Sequence, residues 1–270
     1  MAKIQNDKYY TSPDLAKYCV EKTKEIIGIG NITEYIEPSA GSGVFLDYLD
    51  KPYMAYDIEP ENNKVTKQDW LSLELDYKQG RCVIGNPPFG NRNTLSVKFF
   101  KKSISISDYV SFILPISQLN NNQQMHEFDL IYSEDLGLQH YSDRDLHCCF
   151  NIYRRPVNGK LNSKPNYKLK DISIYEIRQG LNKTSYDYDY FDYSLCNLGR
   201  GQVGKRTLFI GQYAHELYIK INNEEFKDRI LHILRVTNWE KDICNGISGQ
   251  IGLYQWQINK YLKEQIPELN

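Results

Sequence analysis

Asn86-Pro87-Pro88-Phe89 follows directly on the apolar run Cys82-Val83-Ile84 and Gly85, so a strand ends in an amide side chain and two prolines. Proline has no N–H and fixes its own φ, which leaves carbonyl oxygens in such a turn without internal donors. The side-chain oxygen of Asn86 and the carbonyl of Pro87 can converge on one planar amino group, with Phe89 against the ring that bears it. An aromatic amine is a poor nucleophile, and accepting its two hydrogens moves electron density onto the nitrogen as it attacks. The competing reading is a proline turn that caps a buried strand, with Phe89 in the core, and the surrounding segments decide between the two.

Upstream, Glu34 to Pro38 is a short strand that enters Ser39-Ala40-Gly41-Ser42-Gly43, followed by the helical pattern of Val44, Phe45, Leu46, Tyr48 and Leu49. A strand, a tight small-residue loop and a helix start make a cofactor-binding turn, in which the glycines let backbone approach the ligand. The loop is not GxGxxG, and acidic Glu37 stands before it. Both features point away from a dinucleotide and toward a cofactor with a cationic or amino-acid end. Met54-Ala55-Tyr56-Asp57 is a second strand ending in a carboxylate, the place where such folds bind a ribose diol, and Ile58 follows it. Asp69-Trp70 comes after Lys64-Val65-Thr66, where an acid accepts from an adenine amino group and an indole packs on the ring.

The segments EPSAGSG, the acid in AYDIE, the acid-aromatic pair in QDWL and NPPF, in that order, resemble the S-adenosylmethionine-dependent methyltransferases that modify the exocyclic amine of adenine. Tyr9-Tyr10-Thr11-Ser12-Pro13-Asp14-Leu15-Ala16 resembles the segment before the glycine loop in the DNA methyltransferases whose target-recognition region is C-terminal, with Ser12 where the family commonly has proline. The resemblance covers about residues 9 to 155. It implies S-adenosyl-L-methionine as cofactor, held by Tyr10, Thr11, Glu37, Pro38, Ala40, Gly41, Ser42, Gly43, Asp57, Ile58, Asp69, Trp70 and Asn86. It makes Asn86, Pro87, Pro88 and Phe89 catalytic. It also implies an aromatic stacked on the target adenine from the last strand: Tyr153, before Arg154-Arg155, is the best match and Phe150 the fallback. Alternation puts the two on opposite faces of the strand, so at most one stacks; otherwise both are ordinary core or surface aromatics.

These motifs need an α/β, doubly wound, Rossmann-like class I methyltransferase sheet, whose ligands bind at the carboxyl ends of the strands. The pattern predicts a helix over Leu95 to Ile104, a buried strand from Tyr109 to Leu114, a helical segment around Met125 to Tyr132, and a final strand pair at Leu138 to Tyr141 and His147 to Tyr153. This catalytic domain is expected to span residues 1–155.

From Pro156 the character changes, and residues 156–270 are expected to form a smaller target-recognition region. A polar, basic stretch from Val157 to Asn166 reads as a loop or hinge, Asp171 to Ile177 as a strand, and Phe226 to Val236 and Gln257 to Leu262 as helices. The glycine-rich basic loop with Arg200, Lys205 and Arg206 has two readings, a phosphate-binding element or a solvated hairpin.

The formal charge of the 270 residues is −1, so any nucleic-acid contact must come from a local patch rather than the overall field. No run reaches membrane-spanning length, and the six cysteines show no CxxC spacing, as suits a reduced cytoplasmic protein. His140, His147 and Cys148 fit no metal-ligand spacing, and no metal is expected. The substrate reading is duplex DNA, with the target base flipped out of the helix, as in restriction-modification. Structured RNA, glutamine methylation of proteins and a non-catalytic cofactor-binding partner subunit are the alternatives.

Overall fold

Helix α1, Pro13–Ile27, starts where Ser12 accepts from the Leu15 amide at 3.3 Å and Pro13 occupies the first turn, and it stops at Gly28, whose φ is 85°. Its buried residues, Ala16, Cys19, Val20, Thr23 and Ile27, recur every three or four positions and form one stripe. Strands β1 (Glu34–Glu37), β2 (Tyr53–Asp57), β3 (Thr66–Lys67) and β4 (Arg81–Gly85) follow, then α2 (Thr94–Ile106), β5 (Tyr109–Pro115), β6 (Asp129–Tyr141) and β7 (Arg144–Arg154). The computed structural model describes residues 10–141, 144–178, 187–199, 201–244 and 252–270.

The seven strands form one sheet in the order β3-β2-β1-β4-β5-β7-β6. Strands β1 to β5 run parallel, and β7 returns antiparallel against β5 and pairs with β6. Every residue of β1 and β4 is buried, as central parallel strands covered on both faces must be. Tyr35, Cys82, Ile84, Ile113, Phe150 and Ile152 pack with the α1 stripe on one face. Ile36, Val83, Val110, Phe112, Leu114 and Tyr153 pack with Phe99, Phe100 and Ile104 of α2 on the other. The α/β, doubly wound fold expected from the motifs is the fold observed, and the antiparallel β7 makes its sheet mixed.

Two expected helices are absent. After the glycine loop only a single 3-10 turn forms, Leu46–Tyr48, because Pro52 stands immediately before β2 and the few residues left cannot turn a helix and also return to the sheet. Around Met125 to Tyr132 the chain enters β6 at Asp129 instead. Irregularities between Leu130 and Tyr132 and between Asp135 and Gly137 interrupt the period of two, so this strand carries a spacing that imitates a helix.

The chain divides into two compact units, residues 1–165 and 166–270. Ten residues assigned by composition to the second region therefore go with the first. Asn162 accounts for this: its amide donates to the Glu127 carbonyl at 2.9 Å and its side chain to Asp129 at 2.8 Å. The second unit has a three-stranded antiparallel sheet of β8 (Ile172–Arg178), β10 (His215–Ile221) and β9 (Tyr193–Cys196), in the order β8-β10-β9. Helices α3 (Lys227–Val236) and α4 (Gln255–Gln265) pack on it through a core of its own that includes Leu217, Ile219, Ile230, Leu234, Trp239, Ile258 and Leu262.

Candidate functional site

The chain leaves β1 toward β2 on one side and comes back to β4 on the other, so the carboxyl ends of β1 and β4 flank the point where the winding reverses. A cavity of about 550 Å³ opens there. Its walls include Tyr10, Thr11, Glu37, Pro38, Ala40, Gly41, Ser42, Asp57, Ile58, Asp69, Trp70 and Asn86. Of the residues expected around the cofactor, Gly43 alone is not on the wall.

Backbone and carboxylate build the loop together. The Ala40 amide donates to the Tyr56 carbonyl at 2.9 Å, and the Gly41 amide donates to Asp57 Oδ2 at 2.8 Å. Asp57 Oδ1 accepts from the Glu59 amide at 2.8 Å, so this carboxylate already braces two turns. Gly43 has φ 80°, and a Cβ there would lie 2.9 Å from the Asn62 amide nitrogen. Asp69 Oδ1 caps its own turn by accepting from the Leu71 amide at 3.0 Å. Trp70 is buried and forms a wall of the cavity, while Ile58 and Leu71 are exposed apolar faces at its surface.

Glu37 is the most unusual group on the wall. It is 2 % exposed, and Oε2 has no hydrogen-bond partner among the described residues. Burial, and then the nearby Asp57 charge, push its carboxyl well above the ordinary carboxylate value. A buried acceptor that faces a cavity in this state is matched by a cationic ligand group, which would supply both the missing donor and the missing charge.

Asn86 is held from three directions. Its side-chain nitrogen donates to Thr11 Oγ1 at 3.2 Å, its amide also hydrogen-bonds the Tyr141 hydroxyl, and its backbone carbonyl accepts from Ser39 Oγ at 3.3 Å. Burial holds the Tyr141 phenol far above its ordinary value, so it stays neutral. Nothing in the local sequence around Tyr141 marks it as a partner of Asn86, since only the β6 pairing brings it there. After Phe89 the chain passes through Gly90 at φ 65°, Arg92 at 52° and Asn93 at 63°. Left-handed backbone at two successive non-glycine residues is costly and is held by its surroundings; Asn93 Nδ2 donates to Ser117 Oγ at 2.9 Å.

Four expected placements are corrected. Pro88 lines the cavity with Asn86, but Pro87 and Phe89 do not; Phe89 is 6 % exposed and packs into the core on the α1 face. Tyr153 is fully buried: its ring meets Phe100 edge-on at 4.9 Å and its hydroxyl accepts from Asn151 Nδ2 at 2.9 Å. Phe150 is fully buried on the opposite face. The cause is strand direction. Because β7 runs antiparallel, Tyr153 pairs with Val110 near the start of β5, at the end of the sheet remote from Asn86.

Among the described residues no group of three His, Cys, Asp or Glu side chains could hold a metal ion. His140 pairs with Asp145 at 2.7 Å and His147 with Asp135 at 2.6 Å. No helix among them is long and apolar enough to cross a membrane.

In the second unit Arg200 lies outside the described residues. Lys205 and Arg206 are exposed, and the Arg206 guanidinium lies 5.5 Å from the centre of the Tyr193 ring.

No protein-family model matches the chain, and no curated protein matches it. Solved structures that superpose on it include a Pyrococcus horikoshii protein assigned as an RNA methyltransferase, at 17 % identity and a TM-score of 0.46 over 57 % of this chain and 89 % of that one. The 23S rRNA methyltransferase ErmE superposes at 12 % identity and 0.40 over 56 % and 70 %. The M protein of the type I restriction enzyme EcoKI superposes at 14 % and 0.42 over 60 % of this chain and 47 % of its own. Likeness at this level is confined to the fold.

Proposed function

We propose that this chain transfers a methyl group from S-adenosyl-L-methionine to the exocyclic amine of adenine in nucleic acid, with duplex DNA as the substrate. The observation that carries the reading is the meeting of Glu37, Asp57, Asp69 and Asn86, from the ends of separate strands, on the wall of one cavity.

The residues fit that cofactor. Glu37 is the counter-charge for an α-ammonium group, Asp57 retains lone pairs for a ribose diol, and Asp69 with the Ile58 and Leu71 faces suits an adenine ring. When bound, the cofactor supplies an electrophilic methyl group on a sulfonium. The chain's own contribution is placement and charge. Asn86 offers its side-chain oxygen as the acceptor for a target N–H, and acceptance strengthens as positive charge grows on the attacking nitrogen. Removal of water and in-line positioning account for the rest of the rate enhancement expected. The spare proton leaves to solvent after transfer. A base within a duplex cannot reach the cavity, so the target must be extruded. Basic Lys205 and Arg206 then serve phosphate contact.

The test is to incubate the protein with methyl-labelled cofactor and either duplex DNA or structured RNA, then to digest to nucleosides. Labelled N6-methyladenine in DNA supports the proposal; label in RNA alone moves the substrate to RNA.

A further inference from the structure

Leu208 and Phe209 are 67 % and 60 % exposed, and they are the only neighbouring pair of large apolar side chains among the described residues both more than half exposed. They sit on the loop that runs from Arg206, bridged to Leu195 on the outer edge of β9, to the start of β10 at His215. Exposed apolar side chains on a slack loop would mean little. This loop is fastened at both ends.

The fastening centres on Glu216, which is fully buried. Its Oε2 accepts from the Gly211 amide and the Tyr218 hydroxyl, both at 2.8 Å, and its Oε1 accepts from the Tyr213 amide at 2.8 Å. A buried carboxylate is costly to leave short of donors, so the loop cannot depart from these amides cheaply. On the other flank the buried Thr207 carbonyl accepts from the Tyr188 hydroxyl at 2.5 Å and from Ser194 Oγ at 3.2 Å. Across the tip, the Leu208 amide donates to Gln212 Oε1 at 2.6 Å. The two apolar side chains are therefore presented by a loop tied down on both sides of them, and such tethering reduces the conformational freedom lost when they are engaged.

We propose that Leu208 and Phe209 form a wedge that enters the base stack of duplex DNA, while Lys205 and Arg206 beside them hold the phosphates. The proposal rests on the nucleic-acid reading of the first unit and adds the element that opens the duplex. Two side chains are too few for a stable protein interface, which needs about 800 Å² from each partner. They match the apolar wedges that unstack base steps, and the adjacent cations match the charge of the backbone.

The experiment uses the full chain and a 30-base-pair duplex, followed by anisotropy. Wild type is compared with the double variant Leu208→Ser, Phe209→Ser, with cofactor affinity and melting temperature as folding controls. The double variant should bind the duplex about tenfold or more weakly, with the salt slope unchanged because no charge is lost. Phe209→Trp should keep wild-type affinity and show quenching of the added emission on the duplex. Equal duplex binding by wild type and a folded double variant overturns the wedge alone. No duplex binding by wild type overturns the nucleic-acid reading with it. Loss of binding only to phosphatidylserine-containing vesicles would assign the pair to a membrane surface and overturn the wedge. Should the double variant fail to fold, an unquenched Phe209→Trp overturns it independently.

Discussion

The Asn86 side-chain nitrogen donates to the Thr11 hydroxyl at 3.2 Å across 75 residues of chain. The Tyr141 hydroxyl hydrogen-bonds the same side chain, so two hydroxyls hold the Asn86 amide in place. Thr11→Val and Tyr141→Phe each remove one partner while keeping the shape, and each should slow methyl transfer about five- to tenfold. KM for cofactor and melting temperature should stay near wild type. Steady-state kinetics checks this, and an equal rise in cofactor KM would make the two residues cofactor contacts instead.

Glu37 predicts an opposed pair of pH effects. Its folded carboxyl is raised above the ordinary value of 4.5, so the folded state binds the proton more tightly than the unfolded state. The cofactor-free protein is therefore stabilised at low pH and loses that contribution as pH climbs from about 4.5 through the raised value. Glu37→Gln should raise the melting temperature at neutral pH, flatten the slope, and weaken cofactor binding. Melting curves across pH, with and without cofactor, measure all three. A variant with lower stability and unchanged affinity would contradict the counter-charge role.

Asp57 braces the glycine loop through the Gly41 amide at 2.8 Å. Asp57→Ala should weaken cofactor binding by about 1–3 kcal/mol, the scale of hydrogen bonds to a charged group, and should loosen the loop as well. Calorimetric titration reads the affinity, and exchange protection of the Gly41 amide reads the loop. Asp57→Asn, which keeps one acceptor, should fall between the two.

Tyr153 and Phe150 are packing residues in this fold. Truncation to alanine at either should destabilise the protein by about 3–5 kcal/mol, visible in urea unfolding. Tyr153→Phe should keep the wild-type transfer rate and substrate KM, since no base stacks on the ring; a selective rise in substrate KM would contradict the burial.

The turns at the strand ends were legible because their chemistry is local. NPPF, EPSAGSG, AYD and QDW each combine a strand terminus with residues that must leave regular structure, and Glu37, Asp57, Asp69 and Asn86 all reach one cavity. The surroundings of Tyr153 and Phe150 were not legible for a non-local reason: the direction of β7 decides which end of it faces the site, and no spacing within HCCFNIY contains that information. The Thr11 and Tyr141 contacts to Asn86 were hidden in the same way. Phe89 was half legible, since its residue type fits either a stacking ring or the core that it occupies.

Single-turnover methyl transfer to duplex DNA by wild type and Asn86→Ala, with cofactor affinity measured on the same preparations, tests directly whether Asn86 acts on the target amine. N6-methyladenine is expected as the product, with a rate lowered about a hundredfold or more in the variant and cofactor affinity nearly unchanged. Wild-type protein that binds cofactor yet methylates neither DNA nor RNA, or a variant with undiminished rate, would contradict that role.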